Sequence, residues 1–365
     1  MNKGPREYFK GLNGIRAVAA VGVMISHSLQ EMHNFGFKRM SALQFGGIGV
    51  TIFFTLSGFL ITYLLLKEIE NYKTIDIRKF YLRRVLRIWP LYFFYVLLVF
   101  VCSRYLFLSP LDNWKYIYLY VLFFSNLAFN FNVYPNFMGH LWSIAIEEQF
   151  YAFWPFVLKY KRNLKAFLLL LIILLVAAKI IIKFYSQYIH NSIPFSIISC
   201  MRFDNMAIGA LFAIGFYNKN QLLLRISKSK LVDPAFWLIV LLALFNRFSF
   251  FSIFNDDIAS LVTGLFIISQ ITNVRKTTAM ENPIMIFLGQ ISYGIYVYHI
   301  LIIGLLGLLV KRYNLYGYLI NPVFVVITVI STTILISYLS YQYLEMPFLK
   351  LKNKFALVKS GRLKV

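Results

Sequence analysis

Apolar residues fill this chain in long runs, near 12–30, 46–66, 88–108, 116–130, 141–158, 166–186, 200–217, 233–250, 257–273, 284–309 and 319–343. Most approach the roughly 17–25 residues that an α-helix needs to cross the hydrocarbon layer. Runs this long and continuous are helical spans. The strands of a membrane β-barrel would instead alternate in segments of about ten residues. The pattern therefore predicts an all-α polytopic membrane protein, with one integral-membrane domain over 1–365 and no internal repeat. The N-terminal MNKGPREYFKG carries no cleavage site, so the first run is expected to be a retained helix rather than a signal peptide.

Polar positions between the runs set the topology. Lys3, Arg6 and Lys10 precede the first run, and a basic stretch from Lys67 to Arg87 follows the second. Basic loops stay on the cytoplasmic side. If 116–130 crossed, KYKRNLK (159–165) and most later basic clusters would lie outside. A re-entrant or surface segment near 116–139 restores the parity. KYKRNLK, Lys219 to Lys230, Arg275-Lys276 and the C-terminal KLKNKFALVKSGRLK then become cytoplasmic, and only Lys311-Arg312 stays outside. The expectation is about ten transmembrane helices with both termini cytoplasmic.

Composition agrees. The chain is 59% hydrophobic with mean hydropathy +0.68, whereas soluble domains hold about 45–50% apolar residues. The net charge of +23 gathers in the loops expected to be cytoplasmic, so it does not point to nucleic acid. Cys102 and Cys200 sit in or beside apolar runs and imply neither a disulfide framework nor a metal site. The five histidines are dispersed, without the HExxH spacing of a zinc site, and no metal is expected. Walker, GxGxxG and GxSxG motifs are absent from the sequence.

Charged residues inside apolar runs are costly and are functional candidates by default. The first run holds Arg16 and His27. Eleven residues make roughly three helical turns, so both share one face about 16 Å apart. Under the expected topology Arg16 lies near the cytoplasmic side and His27 toward the outside. Arg83, Arg84 and Arg87 in FYLRRVLRIWPLYFF form a guanidinium cluster at the membrane edge. It suits phosphate, and equally an anchor to anionic lipid. In HLWSIAIEEQFY, His140, Ser143, Glu147 and Tyr151 share a face, with Glu148 adjacent. These carboxylates could orient a histidine or accept a proton, or simply start an interfacial helix. Ser292, Tyr296 and His299 share another face, where packing is the bland alternative. Arg202 and Asp204 read as a mutual pair, Lys179 and Lys183 as snorkelling side chains, and Glu345 as a helix-end carboxylate.

Six stretches, in order, resemble the signatures of the acyltransferase-3 family of integral-membrane O-acyltransferases. GLNGIRAVAAVGVMISH is similar to its opening DGLRAxAxxxVxxxH, GGIGVTIFFTLSGFLIT to its second-helix signature, and FYLRRVLRIWPLY contains RRxxR. LWSIAIEEQFYAFWP resembles WSLxVEEQFY, FLGQISYGIYVYH the ISYxxYLxH block, and YLEMPF the closing ExP element. Asn13 stands where the family usually has Asp, and Ile144 and Ala145 replace the commoner pair before the carboxylates.

The resemblance implies transfer of an acyl group, most often acetyl, from cytoplasmic acyl-CoA (acetyl-CoA) to a hydroxyl of an envelope carbohydrate or glycolipid in the bacterial inner membrane. Arg16, Arg83, Arg84 and Arg87 would hold the donor. His27 would act as base or covalent acyl carrier, oriented by Glu147 or Glu345. Trp142, Ser143, Glu148, Arg202, Tyr296 and His299 would serve the acceptor or support the site. No cofactor is expected to be permanently bound, and besides the two substrates the partners are membrane lipid. The chain ends soon after ExP, so no fused SGNH-type esterase domain is expected, and a separate acyl-transfer partner could complete the reaction. The competing class is a non-enzymatic transporter or flippase of an envelope precursor, which would carry broken helices in two related halves.

Overall fold

Within hydrocarbon each backbone N–H and C=O needs an internal partner, which is why apolar runs of this length become helices. A computed structural model describes residues 6–7, 9–38, 43–105, 112–249, 253–272, 279–318, 321–355 and 359–360. Among them, seven segments are long and apolar enough to cross a membrane. They are α1 (Leu12–Gln30), α2 (Phe45–Tyr72), α3 (Ile77–Tyr105), and further along the chain Leu164–Tyr188, Ile193–Tyr217, Ser292–Arg312 and Pro322–Lys352. The three other expected crossings correspond to the helices Trp142–Tyr160, Val232–Leu244 and Asn255–Thr272. The protein is an all-α multi-pass membrane protein.

Stretch 116–139 forms only short pieces, α4 (Ile117–Val121) and α5 (Ser125–Asn130), too short to span. This agrees with a segment that does not cross. The chain continues through α6 (Trp142–Tyr160), α7 (Leu164–Tyr188), α8 (Ile193–Met201), α9 (Phe203–Tyr217), α10 (Gln221–Ser227), α11 (Val232–Leu244) and α12 (Asn255–Thr272). Run 284–309 breaks at Ile291 into α13 (Pro283–Gln290) and α14 (Ser292–Arg312). The last run is α15 (Pro322–Ser340), a π-helical turn Tyr341–Glu345, and α16 (Met346–Lys352). Arg6–Glu7 pairs in parallel with Lys359–Ser360 and brings the two ends of the chain together.

Helix α2 is the most enclosed of the long helices, and α7 is the most lipid-exposed. Between membrane helices small residues permit close backbone approach, because apolar surface alone gives no drive for association. Helices α2 and α9 cross at such a point. A Cβ on Gly58 would lie 2.0 Å from the Met206 carbonyl oxygen, and one on Gly209 2.1 Å from that of Thr55. Gly209→Leu is expected to force these helices apart and destabilise the protein by roughly 1–3 kcal/mol or more. A thermal transition in detergent that matches wild type would contradict this.

The structure corrects two expectations about buried cations. Lys179 does not snorkel. It is buried and bonds Asp204, with Asp257 at 3.6 Å. Nor does Arg202 pair with Asp204. Its guanidinium meets Asp256 at 3.2 Å and donates to the Gly47 carbonyl at 2.9 Å and Thr51 Oγ1 at 2.8 Å. Arg202 is the left-handed residue at φ 43° between α8 and α9, outside the helix that carries Asp204, and its side chain turns to α2 and α12 instead. The cations instead tie α7 and the α8–α9 junction to α2 and α12.

Candidate active site

A cavity of about 270 Å³ opens between α1, α2, α3, α6, α14 and the π-helical turn. Its lining includes Phe9, Arg16, Lys352 and Asn353, and also Ser143 and Tyr296. Apolar walls come from Val50, Phe53, Phe54 and Leu60. Arg84 and Arg87 share it, because the i, i+3 spacing on α3 points both the same way. Arg16, Arg84, Arg87 and Lys352 thus bring four cations to one cavity. None of them makes an ion pair among the described residues. Arg84 Nε is buried without a partner, and its guanidinium lies 5.3 Å over the Tyr151 ring. Arg16 has only a 3.4 Å contact to Asn13 Oδ1. The neighbour at position 13 is an amide, so it forms no ion pair with that guanidinium.

Arg83 departs from its expected role. It does not line the cavity. It pairs with buried Glu68 at 2.9 Å and donates to the Phe355 carbonyl at 3.2 Å. Glu68 Oε1 in turn accepts the Asp76 N–H at 2.8 Å. Asp76 accepts the Lys79 N–H at the start of α3, which holds its carboxyl below the usual carboxylate range. Arg83 therefore fastens the α2–α3 turn and the C-terminal segment. Breaking a buried pair from one side costs about 3–5 kcal/mol. Arg83→Ala is accordingly expected to lower thermal stability clearly while leaving the cavity's lining unchanged. A variant of unchanged stability would show that the pair is dispensable.

The three carboxylates occupy different settings. Glu147 lines the cavity and accepts hydrogen bonds from Ser57 (2.5 Å) and Tyr151. Glu148, about 100° further round α6, does not line it. Its Oε2 accepts from Trp89 Nε1 at 3.1 Å and its Oε1 is buried unpartnered. Glu345 is buried in the π-helical turn, lines the cavity and leaves Oε1 without a partner. Such turns interrupt α-helices frequently at functional sites.

Neither Glu147 nor Glu345 orients His27. Its partner is His299: His27 Nδ1 lies 2.9 Å from His299 Nε2, and the two rings stack at 5.0 Å. His140 stands edge-on to His299 at 5.1 Å. The buried Tyr296 hydroxyl donates to the His140 carbonyl at 2.8 Å and lies 2.6 Å from Ser143 Oγ. The cavity reaches Tyr296 and Ser143 without including His27. The Tyr296 ring, 5.8 Å from His299, thus stands between the cationic cavity and the histidines. Trp142 packs between Phe54 and Phe129, with the Arg202 guanidinium 5.6 Å over its ring. Lys352 and the meeting of His140 with His27 and His299 escaped the sequence argument. Lys352 sits in a basic tail with nothing to single it out. The histidines belong to three separate helical segments.

The match to known proteins decides the family. Residues 9–341 fit the acyltransferase-3 model, described as an acyltransferase domain. The chain belongs to this family. It is 30% identical over 379 residues to the protein named "Putative O-acetyltransferase SACOL0978" of Staphylococcus aureus (strain COL). That alignment covers 94% of this chain and 58% of the relative. It is 28% identical to O-acetyltransferase OatA of Staphylococcus aureus (strain NCTC 8325 / PS 47), covering 94% of this chain and 57% of the relative. The chain therefore spans a little under three-fifths of the length of these relatives. No solved structure matches it.

Proposed function

We propose that the chain moves an acyl group, acetyl in the first instance, from cytoplasmic acyl-CoA to a hydroxyl of an envelope glycan or glycolipid, in the bacterial inner membrane with both termini cytoplasmic. The observation that carries this reading is a cavity with apolar walls and four cations that make no ion pair among the described residues, close to a histidine on the same helix as Arg16. Guanidinium groups lining it suit phosphates, and the apolar walls suit the uncharged arm of an acyl thioester. Arg16, Arg84, Arg87 and Lys352 hold the donor, and Arg83 is left out of that set.

His27 acts as general base. It takes the proton of the acceptor hydroxyl as the oxygen bonds the acyl carbon. The C–S bond then breaks, and the proton passes to the departing thiolate. The products are an ester and free CoA. Glu147, held by Ser57 and Tyr151, and Glu345 balance the cations lining the cavity. Trp142 and Arg202, packed on each other and held by Phe129, Asp256, Gly47 and Thr51, support the wall of the site. Tyr296 moves aside to admit the thioester.

Mass spectrometry of envelope glycans from cells with and without the gene tests the reading. One acetyl per modified sugar should be lost with the gene. Unchanged glycans, together with precursor transport independent of acyl-CoA, would favour a transporter instead.

A further inference from the structure

We infer that His299 is a positioning residue that fixes the tautomer of His27 and leaves the His27 Nε2 lone pair as the reacting base. The inference rests on the acyl-transfer reading for its consequence and on hydrogen-bond geometry for its content. His299 is fully buried, and its Nδ1 lies 3.2 Å from the Ile295 carbonyl oxygen four residues earlier in α14. A carbonyl only accepts, so His299 Nδ1 carries the proton. A neutral imidazole holds one N–H, which makes His299 Nε2 an acceptor. That nitrogen is 2.9 Å from His27 Nδ1. One proton must lie between them, and it belongs to His27. The remaining nitrogen of His27, Nε2, is then unprotonated. It makes no hydrogen bond among the described residues, and His27 keeps exposed surface where His299 has none.

His140 follows the same logic and closes the far side. Its Nε2 lies 3.0 Å from the Val297 carbonyl, so Nε2 carries the proton and Nδ1, buried and unpartnered, does not. It therefore makes no hydrogen bond to compete for His299. When His27 takes up a proton at Nε2, its Nδ1–H still donates to His299, and the imidazolium stays in place. A neutral imidazole thus does the orienting that a carboxylate does in a serine-protease triad. This explains why neither Glu147 nor Glu345 needs to approach His27.

The test has two parts. ¹⁵N spectra of histidine-labelled full-length chain in detergent hold five imidazoles, with His27 assigned by its loss in His27→Ala. The expected tautomer is Nδ1–H with a bare Nε2. A proton on Nε2 would overturn the inference, whatever any variant does. In inverted membrane vesicles, transfer of label from acetyl-CoA to carbohydrate gives kcat and KM. His299→Met keeps the volume without a good acceptor, and kcat should fall roughly 10²–10³-fold at unchanged KM, short of the roughly 10⁴-fold of a lost triad carboxylate. His299→Gln, whose carbonyl can accept from His27, should recover kcat to within about tenfold of wild type, a rescue expected of an acceptor. Full kcat in His299→Met, or equal losses in both variants, would overturn it. The expected tautomer in detergent, together with vesicles that transfer no label, would leave the histidine pair standing and sink the acyl-transfer reading.

Discussion

His27→Ala is expected to lower acyl transfer by about 10²–10⁴-fold, the usual contribution of a positioned general base, in a protein that still folds and inserts. The substitution removes one imidazole hydrogen bond and leaves His299 Nε2 without its donor. An orphaned buried polar atom costs about 1–3 kcal/mol, which a helix packed on α2, α13 and α14 should tolerate. Activity and stability should therefore separate. The measurements are label transfer from acetyl-CoA to carbohydrate in membrane vesicles, and the thermal transition of the purified variant. Wild-type transfer from a folded variant would remove His27 from the mechanism. An acyl group found attached to His27 after quenching would make it a covalent carrier instead. Base and carrier alike need a bare Nε2, so the tautomer argument holds in either case.

Much of the fold was legible because the bilayer leaves few choices. Continuous apolar runs become helices, and charge parity alone marked 116–130 as a segment that does not cross. The Arg16–His27 pair was legible because both residues sit on one helix, where spacing fixes the face. What the sequence could not carry was pairing between helices. Lys179 lies in the most apolar of the seven candidate spans and reads as lipid-facing, but its carboxylate partners come from α9 and α12. Glu147 and Glu148 are neighbours in sequence, yet one faces the cavity and the other Trp89. His27 was expected to meet a carboxylate by analogy with other bases, and it meets an imidazole from α14 instead. Arg83, Arg84 and Arg87 look alike on one helix. Only Glu68, on another, tells which of them is already committed.

That division among the arginines gives the second large effect. Replacing Arg84 and Arg87 together by alanine should raise the KM for acetyl-CoA on the order of 100-fold or more, since hydrogen bonds to charged groups are worth about 1.5–3 kcal/mol each. Stability should change little or even rise. Both cations lack an ion-pair partner among the described residues, and Arg84 Nε is buried unsatisfied. Removing charges that crowd one cavity relieves repulsion, and against this stands chiefly the packing of the Arg84 guanidinium over the Tyr151 ring. Arg83→Ala should show the reverse, with a lower thermal transition and near-normal KM, because its guanidinium is spent on Glu68 and Phe355. The two variants side by side separate a donor site from a lipid anchor. If the cluster only holds anionic lipid, the Arg84/Arg87 variant will bind acetyl-CoA normally and lose affinity for anionic vesicles instead. If it holds the donor, KM for acetyl-CoA rises and affinity for anionic vesicles stays at the wild-type level.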